Sequence, residues 1–294
     1  MSDDVNYRRI LIFLVVAYTP AYLMDSMIYF TGSEKALMNP IYQSLLVGRM
    51  YFPMLGVILS LFITKAEIKN GLKKYGLRIG KRFPQLLLLG ISIPYLIYVI
   101  GIAYGYLAGL PIANPVENIY STLPEEAKHL LSPSTLLAIT LISTLISGIS
   151  LNTLFAIGEE IGWRGLMLDE LGKRFSLPII SIIIGLIWSL WHAPLIILFG
   201  YNYPTNRFLG ILLYTVICII WTYILSILKI LGGSIIPAAA MHGTINAIAA
   251  LMLFTIPIQR VLGMPVGLLS IISSITILIP MIVLQKAARS FQSE

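Results

Sequence analysis

The sequence predicts an all-α, polytopic integral membrane protein folded as an eight-transmembrane-helix bundle. Three observations predict it. The first is composition: 57% of the 294 residues are hydrophobic and 11% charged, with a mean hydropathy of +0.88. A soluble domain carries about a quarter charged residues, and a chain of this length cannot hide so much apolar surface from water. The second is that apolar runs of about 20 residues recur along the whole chain, each long enough to cross a hydrocarbon core about 30 Å thick. The third is that the basic residues gather in alternate loops.

The spans are expected near 10–30, 42–64, 83–109, 135–157, 177–199, 208–230, 234–255 and 264–285, within a single membrane domain, 1–294. The run at 10–30 is too long for the apolar core of a signal peptide, and no small-residue cleavage motif follows it, so it reads as the first span. Gly232, Gly233 and Gly263 leave only short loops between the last three spans. The segment from Glu159 to Phe175 mixes acidic and basic side chains with Trp163, Leu166, Met167, Leu168 and Leu171, as an amphipathic continuation of the fourth helix would.

Charge placement sets the expected orientation. With the N-terminus in the cytoplasm, the inner segments hold 15 of the 20 Lys and Arg residues, nine of them between Arg8 and Arg82. The outer loops hold Lys35, Lys128, Arg207 and Arg260, and Arg49 falls inside the second span. The positive-inside rule then places both termini in the cytoplasm, which requires an even number of spans. The net charge of +7 is accounted for by orientation and by contact of the 65–82 loop with anionic lipid, so the expected partner is the bilayer and not a nucleic acid. The one cysteine, Cys218, lies in an apolar run and supports neither a disulfide framework nor a cysteine metal site.

An ionisable side chain at the middle of a membrane helix costs about 2.5–3.5 kcal/mol on insertion scales, so each one should pair or line a wet cavity. Asp25 and Arg49 fall in the outer halves of the first two spans, joined by a short loop, and read as an ion pair. Glu159-Glu160-Ile161-Gly162-Trp163-Arg164 has the form E-E-x-x-x-R. Glu160 and Arg164, four apart, share a helix face, whereas Glu159 is turned about 100° away. The arginine holds one carboxylate and leaves the other free to face a reaction centre. His192 follows Trp188 by four residues in the fifth span, and His242 precedes Asn246 by four in the seventh, each pair on one helix face. His129, the third histidine, sits in a polar outer loop and is expected to be solvated.

These residues suit hydrolysis at an intramembrane catalytic cavity. Glu159 with His192 can activate a water, and His242 with Asn246 can donate to the oxyanion of a tetrahedral intermediate. Other peptidase chemistries lack their residues. Asp25 is the one aspartate within a span, no histidine is followed by glutamate as H-E-x-x-H requires, and Ser189 has no flanking elbow glycines. A metal held by Glu159, His192 and His242 stays open on ligand chemistry. So does a proton relay through the buried Glu and His, although no matching pair of broken helices argues for transport.

The three motifs, in order and context, resemble the CAAX-protease and bacteriocin-processing (CPBP) family, which includes the Ras-converting type CAAX prenyl endopeptidases. That family carries E-E-x-x-x-R, F-x-x-x-H and H-x-x-x-N or H-x-x-x-B on successive membrane helices. Here they stand as Glu159 to Arg164, Trp188 to His192 and His242 to Asn246, a motif core of 159–246. Trp188 departs from the usual phenylalanine and keeps an aromatic packing role.

The resemblance implies an eight-helix intramembrane glutamate endopeptidase. In it Glu159 and His192 would activate water, His242 and Asn246 would form the oxyanion hole, and Glu160, Arg164 and Trp188 would support them. No cofactor is implied, and the family mechanism is metal-free. The implied substrate is a peptide or protein, and for part of the family a prenylated CAAX protein that loses its C-terminal tripeptide. A non-catalytic immunity or scaffold protein retaining the fold is the alternative. The implied location is a prokaryotic plasma membrane, or the endoplasmic reticulum in a eukaryote.

Depth poses a problem for this site. At about 1.5 Å per residue, straight helices with these bounds put His242 roughly 12 Å and His192 roughly 22 Å from the cytoplasmic ends, with Glu159 near the surface. The sequence therefore predicts that helix four is long and keeps Glu159 below the interface, and that helix five starts elsewhere or tilts.

Overall fold

The computed structural model describes residues 4–32, 36 and 39–290; Lys35, expected in an outer loop, lies outside them. Among the described residues there is no strand, and eight helical spans are long and apolar enough to cross a membrane. This is an integral membrane protein. The spans are Tyr7–Gly32, Pro40–Ile63, Phe83–Leu107, Pro133–Leu171, Leu177–Phe199, Arg207–Gly232, Ile236–Thr255 and Leu268–Ser290.

Helix starts follow from proline. Pro40, Pro53, Pro84, Pro133, Pro178 and Pro237 each occupy the first turn of a helix, where the missing N–H is no loss and the fixed φ suits the helix. Asn39 and Ser132 add side-chain caps, accepting from the backbone N–H of Ile41 and Thr135. The fifth and sixth spans stop at Gly200 and Gly233, at φ 66° and 67°, a left-handed conformation that glycine adopts without penalty.

The fifth span packs along the sixth, the first along the second half of the second, and the seventh against the third and fourth. One hydrophobic cluster takes in buried side chains from all eight spans. The outward faces carry exposed Leu11, Leu88, Val99, Leu212 and Ile279, as a lipid-facing surface requires.

Two span bounds differ from the sequence expectation. The second span is broken into Pro40–Arg49 and Phe52–Ile63, because Pro53 has no N–H to return to the carbonyl four residues back. The eighth span starts at Leu268, since the residues around Pro265 are turns.

The fourth span runs to Leu171, 39 residues in all, or about 58 Å, nearly twice the hydrocarbon thickness. Two π-helical stretches, Gly148–Asn152 and Ile161–Met167, interrupt it. Its first half, Pro133–Ser147, buries no side chain, whereas Gly158 to Leu168 are all buried. The inner half is thus enclosed on every side and is not an amphipathic surface helix.

The length of the fourth helix resolves the depth problem. Glu159 lies twelve residues before its end, about 18 Å along the axis, where it lines one cavity with both histidines. The fifth helix starts at Leu177 as its sequence indicates, so no shift of that boundary is needed.

Glycine permits the enclosure. A Cβ on Gly158 would stand 2.6 Å from the Met50 carbonyl oxygen, at the break in the second span. One on Gly243 would stand 2.5 Å from Thr153 N and 2.6 Å from Asn152 C. Backbones of the fourth and seventh spans therefore meet directly beside His242. Gly243→Ala must push two helices apart, at a cost of about 1–3 kcal/mol. We expect the purified variant to melt at a lower temperature in detergent; an unchanged melting temperature would show that the backbones are not in contact.

Candidate functional site

Burial decides which polar groups of the motif region can act together. Glu159 is 2% exposed, and Glu160 and Arg164 are fully buried. The two glutamates are adjacent on the fourth span and therefore face different neighbours. Glu159 turns to the fifth span, where its Oε2 accepts from the Trp188 indole Nε1 at 2.8 Å. Glu160 turns to the seventh, where its Oε1 meets His242 Nδ1 at 2.9 Å and also accepts from Arg164 Nη1 at 3.0 Å. Arg164 donates to Thr222 Oγ1 of the sixth span at 3.1 Å and stacks over the Trp188 ring at 4.2 Å.

Glu159, Trp188, His192, His242 and Asn246 line one cavity of about 270 Å³. Trp188 is its hub. The ring that donates to Glu159 lies edge-on to His192 at 5.8 Å and to His242 at 5.3 Å between centroids. The carboxylate and both imidazoles thus face one space.

The hydrogen bonds constrain the imidazoles. His192 Nδ1 is 2.9 Å from the Trp188 carbonyl oxygen. A carbonyl only accepts, so Nδ1 carries the proton, and neutral His192 presents an Nε2 lone pair. His242 Nδ1 meets the Glu160 oxygen that already accepts from Arg164, and likewise donates. The Glu159 Oε1 atom and the His192 Nε2 lone pair are two acceptors on residues that line the cavity.

The structure brings Glu159, His192 and His242 together, as the motif reading required. Asn246 also lines the cavity but is exposed, so it stands at the rim. Glu160 and Arg164 form the expected i,i+4 pair behind the cavity wall. His129 is exposed, as expected. Although Glu159, His192 and His242 share a cavity, neither they nor any other group of three His, Cys, Asp or Glu side chains among the described residues is arranged to hold a metal ion.

Three features were not read from the sequence. Trp188 donates a hydrogen bond to Glu159 in addition to packing. Glu160 holds His242, a contact 82 residues apart that only the tertiary fold creates. Arg49 and Tyr214 line the cavity. Arg49 carried a signal, a charge inside a span, but its ion pair with Asp25 seemed to exhaust it; Tyr214, one of 16 tyrosines, carried none.

Comparison with known proteins bears on the same region. Residues 133–248 match the family model described as Type II CAAX prenyl endopeptidase Rce1-like. All seven motif residues fall within the match. A segment of 43 residues is 56% identical to CAAX prenyl protease 2 of Methanococcus maripaludis, covering 15% of this chain and 16% of that relative. Both comparisons bear out the resemblance to the CPBP family that the motifs carry.

The Glu160–Arg164 pair makes a stability prediction. Glu160→Ala leaves the buried Arg164 charge uncompensated, at a cost of about 3–5 kcal/mol. Replacing both partners by apolar residues, Glu160→Leu with Arg164→Met, removes that charge. Thermal denaturation in detergent should show the single variant far less stable and the double variant recovering much of the loss. A single variant as stable as wild type would contradict the pair's role.

Proposed function

We propose that this protein is an intramembrane endopeptidase that hydrolyses a peptide bond with a water activated by Glu159 and His192. The observation that carries the reading is that Glu159, His192 and His242 line one cavity inside a membrane bundle. Water held between Glu159 Oε1 and His192 Nε2 loses a proton as it attacks the scissile carbonyl. The developing oxyanion accepts hydrogen bonds from the Asn246 amide and from His242, which with a proton on each nitrogen donates Nδ1–H to Glu160 and offers Nε2–H to the cavity. The C–N bond then breaks, and the proton taken from water passes to the leaving amine.

Glu160 and Arg164 position His242 without touching substrate. Trp188 fixes the Glu159 carboxylate by its indole N–H, a contact phenylalanine in the same place would lack.

The proposed substrate is a prenylated CAAX protein that loses its C-terminal tripeptide. The name of the relative and the description of the family model support it, as does the cavity wall of Leu46, Val47, Met50 and Phe155, which suits an apolar chain. We place both termini in the cytoplasm on the distribution of basic residues, and the compact loops suit a prokaryotic plasma membrane.

Purified protein reconstituted in liposomes should cleave a fluorogenic farnesylated CAAX peptide. Glu159→Gln and His192→Ala should each lower kcat/KM by about 10²–10⁴, while a chelator leaves the rate unchanged. Cleavage surviving Glu159→Ala would defeat the glutamate mechanism. Trp188→Phe loses one hydrogen bond to a carboxylate, so its kcat/KM should fall by about tenfold and no further.

A further inference from the structure

Arg49 is held in a way that its ion pair does not explain. It is 2% exposed and sits in an apolar span. Asp25 Oδ2 lies 3.1 Å from its Nε and 3.1 Å from its Nη2, and Nη2 also donates to the Trp191 carbonyl. The guanidinium stacks on the Trp191 ring at 3.6 Å. These contacts occupy the Nε and Nη2 edge. Nη1, with two N–H groups, has no acceptor among the described residues, and Arg49 is part of the wall of the cavity that holds Glu159 and His192. The cavity wall contains no other lysine or arginine.

We propose that Arg49 binds the C-terminal carboxylate of the peptide substrate through Nη1, with Asp25 and Trp191 fixing the guanidinium from behind. This rests on the peptidase reading and extends it to how the enzyme measures three residues from a chain end. Guanidinium and carboxylate match in charge and planarity.

Reach supports the assignment. Arg49 and His192 both lie against the Trp191 ring, at 3.6 Å from the guanidinium carbon and 4.9 Å between ring centroids. The shared ring bounds their separation at roughly 9 Å, and three extended residues span at most about 10 Å. A carboxylate three residues past the scissile carbonyl therefore reaches Arg49. A free terminus is the only carboxylate present at that fixed distance in every such substrate, which sets it apart from an acidic side chain.

The test uses the full-length protein in liposomes and two farnesylated CAAX peptides with an apolar last residue, one ending in a free acid and the other in an amide. Wild type should favour the acid by at least about tenfold in kcat/KM, mainly through KM. Arg49→Gln with Asp25→Asn, which removes both charges together, should cleave the two peptides with equal kcat/KM, read as the acid-to-amide ratio within the variant. Arg49→Lys, which keeps the charge and the Asp25 pair, should retain part of the preference.

Equal cleavage of acid and amide by wild type overturns the inference and leaves the peptidase reading standing. So does full preference for the acid in the double variant. If that variant does not fold, Arg49→Lys becomes the deciding measurement, and an undiminished preference there counts against the proposal. Cleavage of neither peptide by wild type removes the prenylated CAAX substrate, and this inference with it.

Discussion

A carboxylate sealed from water inside a membrane bundle must find its hydrogen-bond partners in the protein, and Glu160 finds two. Its Oε1 accepts from Arg164 one helical turn on and meets His242 on the seventh span. Arg164 in turn reaches Thr222 on the sixth span and lies over Trp188 on the fifth. Four spans are thus tied through one anion. Directed polar contacts of this kind matter more within lipid than in water, because burial of apolar surface does little to bring membrane helices together. The same contact fixes the ring of His242, so the group that holds the bundle also orients a residue facing the cavity.

Two adjacent glutamates can serve separate purposes because the helix turns about 100° between them. Glu160 Oε1 is taken by Arg164 and His242 behind the wall, whereas Glu159 faces the cavity with a single indole donor. The π-helical stretch that begins at Ile161 follows this pair directly, and such stretches are frequent at functional sites. Close approach completes the arrangement: the second span breaks where it meets Gly158, and the seventh lies against the fourth at Gly243. Helices with larger side chains at these points could not enclose the carboxylates.

The polar residues were legible in the sequence because their cost in lipid makes each one conspicuous. Glu159, Glu160, Arg164, His192 and His242 stand out against apolar runs, and the i,i+4 spacing discloses which share a face. Asp25 and Arg49 were legible as a pair for the same reason. Contacts between spans were not. Nothing in the local pattern says that Glu160 meets His242, that the Trp188 indole donates to Glu159, or that Arg49 belongs to the cavity wall, since each depends on the lateral order and rotation of helices. Hydropathy likewise marks where a helix leaves lipid and not where it ends, so the buried, charged stretch of the fourth span looked like a surface element.

For the eight-span bundle, the sequence alone was sufficient: the solvent in which 57% apolar residues can fold is lipid, and backbone groups in lipid must satisfy themselves within helices. It was sufficient too for the identity of the polar residues that the cavity needs. Only the tertiary structure decided their depth and their partners. A fourth helix of 39 residues carries Glu159 inward to the level of the histidines, and helix rotation assigns one glutamate to a structural anion and the other to the cavity. Periodicity describes each helix about its own axis, whereas a site built between helices is defined by how those axes are set against one another.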